Sequence, residues 1–236
     1  MPTLTDRRKA ALIIGGFVLF QSCFLAIFLR FGLRHFLVHL GFLAGKHAPR
    51  RDGYAAAAIV AVAFIAISAR LPSVRENLVR ISWLKLLALA LAVVAGSLEE
   101  IVFRGLLMNG LQNIGIGAVL QIILSGVAFG LVHGIWALFR GSWRAGLGAI
   151  TATGILGAAL GIVYIVGGRS LAPCVTAHFW INVFSEPGLM LAAIRGEMGR
   201  SNTPSTRTRR IRLSDFANNP VLSVIDSMTM SAPVAE

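Results

Sequence analysis

The feature that most constrains this chain is a series of apolar runs close to 20 residues long, at 10–29, 54–71, 83–108, 116–139, 145–166 and 171–194. A hydrocarbon layer about 30 Å thick is crossed by roughly 20 helical residues, and a helix satisfies its own backbone where no water can. The expected fold is therefore all-α, a polytopic transmembrane helix bundle with about six spans. Segment 31–44 is shorter and carries Arg34, His35 and His39, so it reads as an interfacial helix or as a seventh crossing. Composition agrees: 56% of residues are hydrophobic and 14% charged, against about 45–50% and 25% in soluble domains. A water-soluble domain is excluded. Three parts are expected: membrane helices and basic loops over 1–82, a helix bundle carrying the chemistry over 83–194, and a tail over 195–236.

Twenty-two Lys and Arg against ten Asp and Glu give a net charge of +12. The basic residues fall between apolar runs, where they set orientation and meet anionic headgroups. No zinc-finger spacing or RNP motif is present, so the expected partner is the lipid bilayer and no nucleic acid. Arg70, Arg75, Arg80 and Lys85 separate the second and third runs, and Arg140 and Arg144 the fourth and fifth. Segment 109–115 has no Lys or Arg, and 167–170 has only Arg169. This alternation puts the first two loops in the cytoplasm of an inner (plasma) membrane protein. The tail, with Arg207, Arg209, Arg210 and Arg212 among polar residues, is expected to be cytoplasmic and disordered. Arg30, Arg34, Lys46, Arg50 and Arg51 break the pattern on a six-span count. Arg7-Arg8-Lys9 before the first run reads as the flank of an uncleaved first span. Cys23 and Cys174 both lie in apolar runs, expected as buried thiols without a disulfide framework.

The chemistry is carried by rare residues. Two of the ten acids, Glu99 and Glu100, stand together inside the third run, where a charge costs at least about 2.5–3.5 kcal/mol and must face protein or water. Arg104 is four residues after Glu100, on nearly the same helix face, and can neutralise it. Glu99 has no such local partner, which leaves it available as a general base. The alternative is a structural ion-pair knot. His133 lies in the fourth run, four residues after Phe129, and His178 and Asn182 sit one turn apart in the last run. Each alone could be interhelical glue; two carboxylates, two imidazoles, a carboxamide and a guanidinium on three apolar helices point together to a site between the third, fourth and last spans. No HExxH or GxSxG is present, although Ser125 precedes His133, and Cys174 reads as packing. Gly148, Gly154, Gly157 and Gly161 give the fifth run a nearly bare face suited to close helix packing.

The patterns Glu99-Glu100-xxx-Arg104 (EExxxR), Phe129-xxx-His133 (FxxxH) and His178-xxx-Asn182 (HxxxN) resemble, in that order and on membrane helices, those of the CPBP family. These are intramembrane endopeptidases that include the CAAX prenyl protease and bacterial Abi-type proteins. The resemblance covers roughly residues 83–195. It implies that Glu99 is the catalytic carboxylate activating water with help from His133, that His178 and Asn182 stabilise the oxyanion, and that Glu100 and Arg104 support the site. It implies a peptide or protein substrate, membrane-associated or prenylated. Family descriptions divide between metalloprotease and glutamate protease; Glu99, His133 and His178 could hold zinc with an open position, and the metal-free scheme is slightly favoured. Against the family pattern, Ser185-Glu186-Pro187-Gly188 interrupts the last run, and Pro187 is expected to kink or end the helix. Glu186 is two turns from His178 on the same face, so it either lines the cavity or solvates a helix end. The rival readings are a non-catalytic immunity or scaffold protein and a proton-coupled transporter.

Overall fold

The computed structural model describes residues 3–43, 48–135 and 143–197. They fall within one compact unit, Met1–Arg200, and every regular element among them is helical. These are α1 (Leu4–Leu29), α2 (Leu33–Leu40), α3 (Arg51–Ser68), α4 (Pro72–Asn77), α5 (Trp83–Glu100), a π-helical segment (Ile101–Met108), α6 (Asn109–Asn113), α7 (Ala118–His133), α8 (Trp143–Val166) and α9 (Leu171–Arg195). Polar residues start the long helices where the runs begin. Thr3 and Asp6 form a reciprocal capping box on α1, and Ser82 Oγ accepts from Lys85 N at the start of α5.

Four helices among the described residues are long and apolar enough to cross a membrane: Leu4–Leu29, Arg51–Ser68, Trp83–Asn113 and Gly146–Val166. Helix α7 is apolar but has 16 residues, about 24 Å at 1.5 Å per residue; its expected extension to 139 lies outside the described residues. Helix α9 is long enough at 25 residues but falls short on composition. The reason is its place in the bundle. It packs against α1, α2, α3, α4, α5, the π segment and α8, so its polar residues face protein and cavity. On the outer helices the apolar side chains point away from the protein, among them Leu12, Ile59, Val119 and Ile155. Cys23 shares that outer surface, contrary to the expected buried thiol, while Cys174 is buried and its thiol donates to Leu160 O at 3.4 Å.

Helix α2 has eight residues, about 12 Å, too short for a seventh crossing. Arg50 N donates to Gly167 O, and Arg169 donates to Asn109 Oδ1 at 2.9 Å. The α1–α3 connection, the α8–α9 turn and the start of α6 therefore share one end of the bundle. Ala10, Leu84 and Met190 cluster toward the other. Arg30, Arg34, Arg50 and Arg51 thus lie opposite Arg70, Arg75 and Lys85. Both ends are basic. Arg140, the side chain of Arg144, Lys46 and the tail beyond 197 lie outside the described side chains.

Two local devices shape the central helices. Along the α7–α8 seam a Cβ on Gly126 would meet Gly154 O at 2.9 Å, and one on Gly157 would meet Phe129 Cβ at 2.8 Å. Bare backbone lets these helices touch, as expected for Gly154 and Gly157. Gly148, by contrast, has open space around it and borders the cavity. The second device corrects the reading of Pro187, since α9 runs through it unbroken. A proline cannot donate to the carbonyl four residues back, here Val183 O, and Lys85 Nζ donates to that oxygen at 2.7 Å. Gly188 then presses its backbone against that of Val74. Helix α9 closes on Gly196 at φ 81°, and the reversed chain brings the Glu197 carboxylate to Ser73 N and Oγ at the start of α4.

Candidate active site

The EExxxR pattern lies where α5 passes into the π segment. Such wide turns inside α-helices are frequent at functional sites. The Glu100 and Arg104 side chains are fully buried, with Arg104 Nη1 donating to Glu100 Oε1 at 3.1 Å. The other arm, Nη2, donates to Gly157 O at 2.6 Å. The glycine seam makes this possible, because it brings α8 backbone within reach of a side chain that crosses beneath α7. His178 Nδ1 donates to the same Glu100 oxygen at 2.8 Å. Glu100 therefore ties α5, the π segment, α8 and α9 into one dry knot, and it fixes the rotation of the His178 ring.

Glu99 faces the other way. Its side chain is 18% exposed and borders a cavity of about 480 Å³. Oε2 lies 3.6 Å from His178 Nε2 and 4.0 Å from His133 Nε2. Both separations exceed a direct hydrogen bond, and Oε2 itself is buried without a hydrogen-bond partner. His133 Nδ1 is 2.8 Å from Phe129 O; a carbonyl only accepts, so Nδ1 carries a proton, and the ring turns its Nε2 toward Glu99. Phe129 also gives the two imidazoles a common wall, with ring centroids 4.5 Å from His133 and 5.9 Å from His178. The Arg104 guanidinium sits 5.1 Å from the same ring. This is what the FxxxH spacing does physically: one residue supplies the carbonyl that sets the tautomer and the ring that packs both histidines.

The structure brings Glu99, Glu100, Arg104, His133 and His178 together, closing the difference in depth that counting along the runs gives for His133 and Glu99. Asn182 lines the same cavity one turn after His178, and Glu186 lines it one turn further on. Ser125 is buried, with its hydroxyl donating to Phe103 O. Gln21 was missed by sequence reasoning: from α1 its Nε2 donates to Glu99 Oε1 at 3.4 Å. The available signal was that Gln21 is the sole carboxamide in the first apolar run. No group of three His, Cys, Asp or Glu side chains among the described residues is arranged to hold a metal ion. Glu99, His133 and His178, the candidate zinc set, face one another with the two His Nε2 atoms 4.0 and 3.6 Å from Glu99 Oε2, and no step below is routed through a metal.

Fold and centre together define a polytopic helical membrane protein with a carboxylate and two histidines converging inside a largely apolar cavity. Residues 81–184 match the family described as Rce1-like, type II CAAX prenyl endopeptidase Rce1-like. The matched segment holds all three motifs, in agreement with the CPBP resemblance. Comparison with curated proteins and with solved structures gives no significant match.

Proposed function

We propose that the protein is an intramembrane endopeptidase cutting a membrane-associated or prenylated CAAX-type substrate. The observation that carries this reading is the approach of Glu99 Oε2 to two histidine Nε2 atoms on the wall of one cavity. Glu99 takes a proton from a water held between it and His133, and the water oxygen bonds to the scissile carbonyl carbon. The negative charge moving onto the carbonyl oxygen is met by the Asn182 amide and by His178 Nε2–H, the imidazolium being held at Nδ1 by the Glu100 carboxylate. Donors already in place where charge develops are worth more than donors that must reorganise. Collapse of the intermediate breaks the C–N bond, and the proton on Glu99 passes to the leaving amine. Glu100 and Arg104 touch none of the reacting atoms and act by holding His178. We place the protein in the inner or plasma membrane with residues 195–236 on the cytoplasmic face.

The test is Glu99→Gln in proteoliposomes supplied with a farnesylated C-terminal peptide. General acid–base catalysis contributes about 10²–10⁴-fold, and a fall of that size in kcat is expected; cleavage at the wild-type rate removes Glu99 from the mechanism. Non-catalytic scaffold readings predict no cleavage by the wild type at all. A chelator series separates the two chemistries: activity that survives it supports the metal-free scheme, and loss restored by added zinc contradicts it.

A further inference from the structure

Glu186 is the acidic side chain on the cavity wall that the mechanism leaves unused; Arg70 lines the same cavity. Its location is firmly set. On one side Ser185 is buried with its hydroxyl 2.8 Å from Ser68 Oγ; on the other, Pro187 and Gly188 are buried. Both flanks are thus clamped while the carboxylate borders the cavity. None of the ion pairs among the described residues includes Glu186. An ionisable side chain at membrane depth is costly and is retained where it meets a partner. The cavity wall is largely apolar, with Phe17, Phe64, Leu71 and Leu189 beside the polar groups Glu99, His178, Asn182 and Arg70. A largely apolar wall with an acidic group outside the catalytic cluster is the complement of a long aliphatic stem ending in a cation, the form of a Lys or Arg side chain. Few polar groups in a mostly apolar cavity are what confer specificity on a binding site.

We infer that Glu186 forms a cation subsite that receives a Lys or Arg side chain of the peptide substrate. This rests on the endopeptidase reading for the direction of the chain. Glu186 follows His178 by eight residues on one face, about 12 Å along the axis at 1.5 Å per residue. An extended peptide advances about 3.3–3.6 Å per residue, so the basic residue lies roughly three to four positions from the bond cut. It lies on the side that leads past Glu186 to the end of the cavity where Arg70 and Leu71 stand. A free metal cation is the less favoured occupant, because one carboxylate offers it too few donors.

The experiment uses the full chain in proteoliposomes and membrane-anchored peptides that differ at one position at a time, with Lys, Met or Glu at each of the four positions on either side of the bond cut. The wild type is expected to favour Lys over Met at one position by about tenfold in kcat/KM. Glu186→Gln should abolish that preference, and Glu186→Lys should turn it toward Glu. A wild type indifferent to charge at every position, or a preference that survives Glu186→Gln, overturns the subsite. A binding arm separates this from failure of the protease reading. In Glu99→Gln protein, a fluorescent Lys peptide should bind about tenfold tighter than its Met counterpart, and not so when Glu186→Gln is added. Selective binding without cleavage by the wild type would retain the subsite and remove the protease; cleavage without charge selection would do the reverse.

Discussion

Glu99 and Glu100 are neighbours in the chain and occupy opposite surroundings. Glu100 is sealed in protein, with Oε1 shared between the Arg104 guanidinium and His178 Nδ1. Glu99 meets a carboxamide from α1, two imidazole nitrogens beyond direct hydrogen-bond range and a cavity. One helix thus presents a dry half that builds and a wet half that can react. The contrast shows how a membrane protein can retain an acid in a reactive position: the adjacent acid, neutralised in place, holds together the helices that carry the other site residues.

That division can be broken from either side. The largest expected effect lies in the dry half. Removing one member of a buried pair costs about 3–5 kcal/mol, because its partner remains charged and unpaired. Arg104→Ala should therefore unfold at markedly lower denaturant in detergent, and normal stability would show that the knot contributes little. A smaller effect is expected at the seam. A Cβ on Gly157 would press on Phe129 and move the carbonyl that Arg104 uses; overpacking of this kind costs about 1–3 kcal/mol. Gly157→Ala should lower stability by that amount in the same unfolding assay and slow turnover with it. The mildest change is in the wet half. Gln21→Leu removes the donor to Glu99 Oε1 and should reduce kcat about tenfold, equivalent to about 1.4 kcal/mol, with little change in KM or unfolding. A Gln21→Leu enzyme with wild-type kcat would leave α1 as scaffold alone.

The centre was legible in the sequence because charge in an apolar run is expensive, so Glu99, Glu100, Arg104, His133 and His178 each stood out and their spacings set their faces. Gln21 did not stand out as part of it. A single amide in the first run has no local partner, and its role depends on a residue 78 positions away. The continuity of α9 was hidden for the same reason: Pro187 signals a break, and the Lys85 ammonium that compensates it belongs to another helix. The span count from hydropathy also misleads at α9, since a helix surrounded by protein need not be greasy. Glu186 could be placed on a helix face from spacing, but whether that face met water or a cavity depended on how α3 and α4 clamp its neighbours.

The most direct measurement of the central claim pairs Glu99→Gln with Glu100→Gln, reading both unfolding in detergent and kcat on one prenylated peptide. The account predicts that Glu99→Gln loses much less stability than Glu100→Gln, while its kcat falls by about 10²–10⁴. Glu100→Gln should lose stability on the scale of a broken buried pair, about 3–5 kcal/mol. If Glu99→Gln proves the destabilised protein, or Glu100→Gln keeps full stability while kcat alone collapses, the two carboxylates have been assigned to the wrong halves.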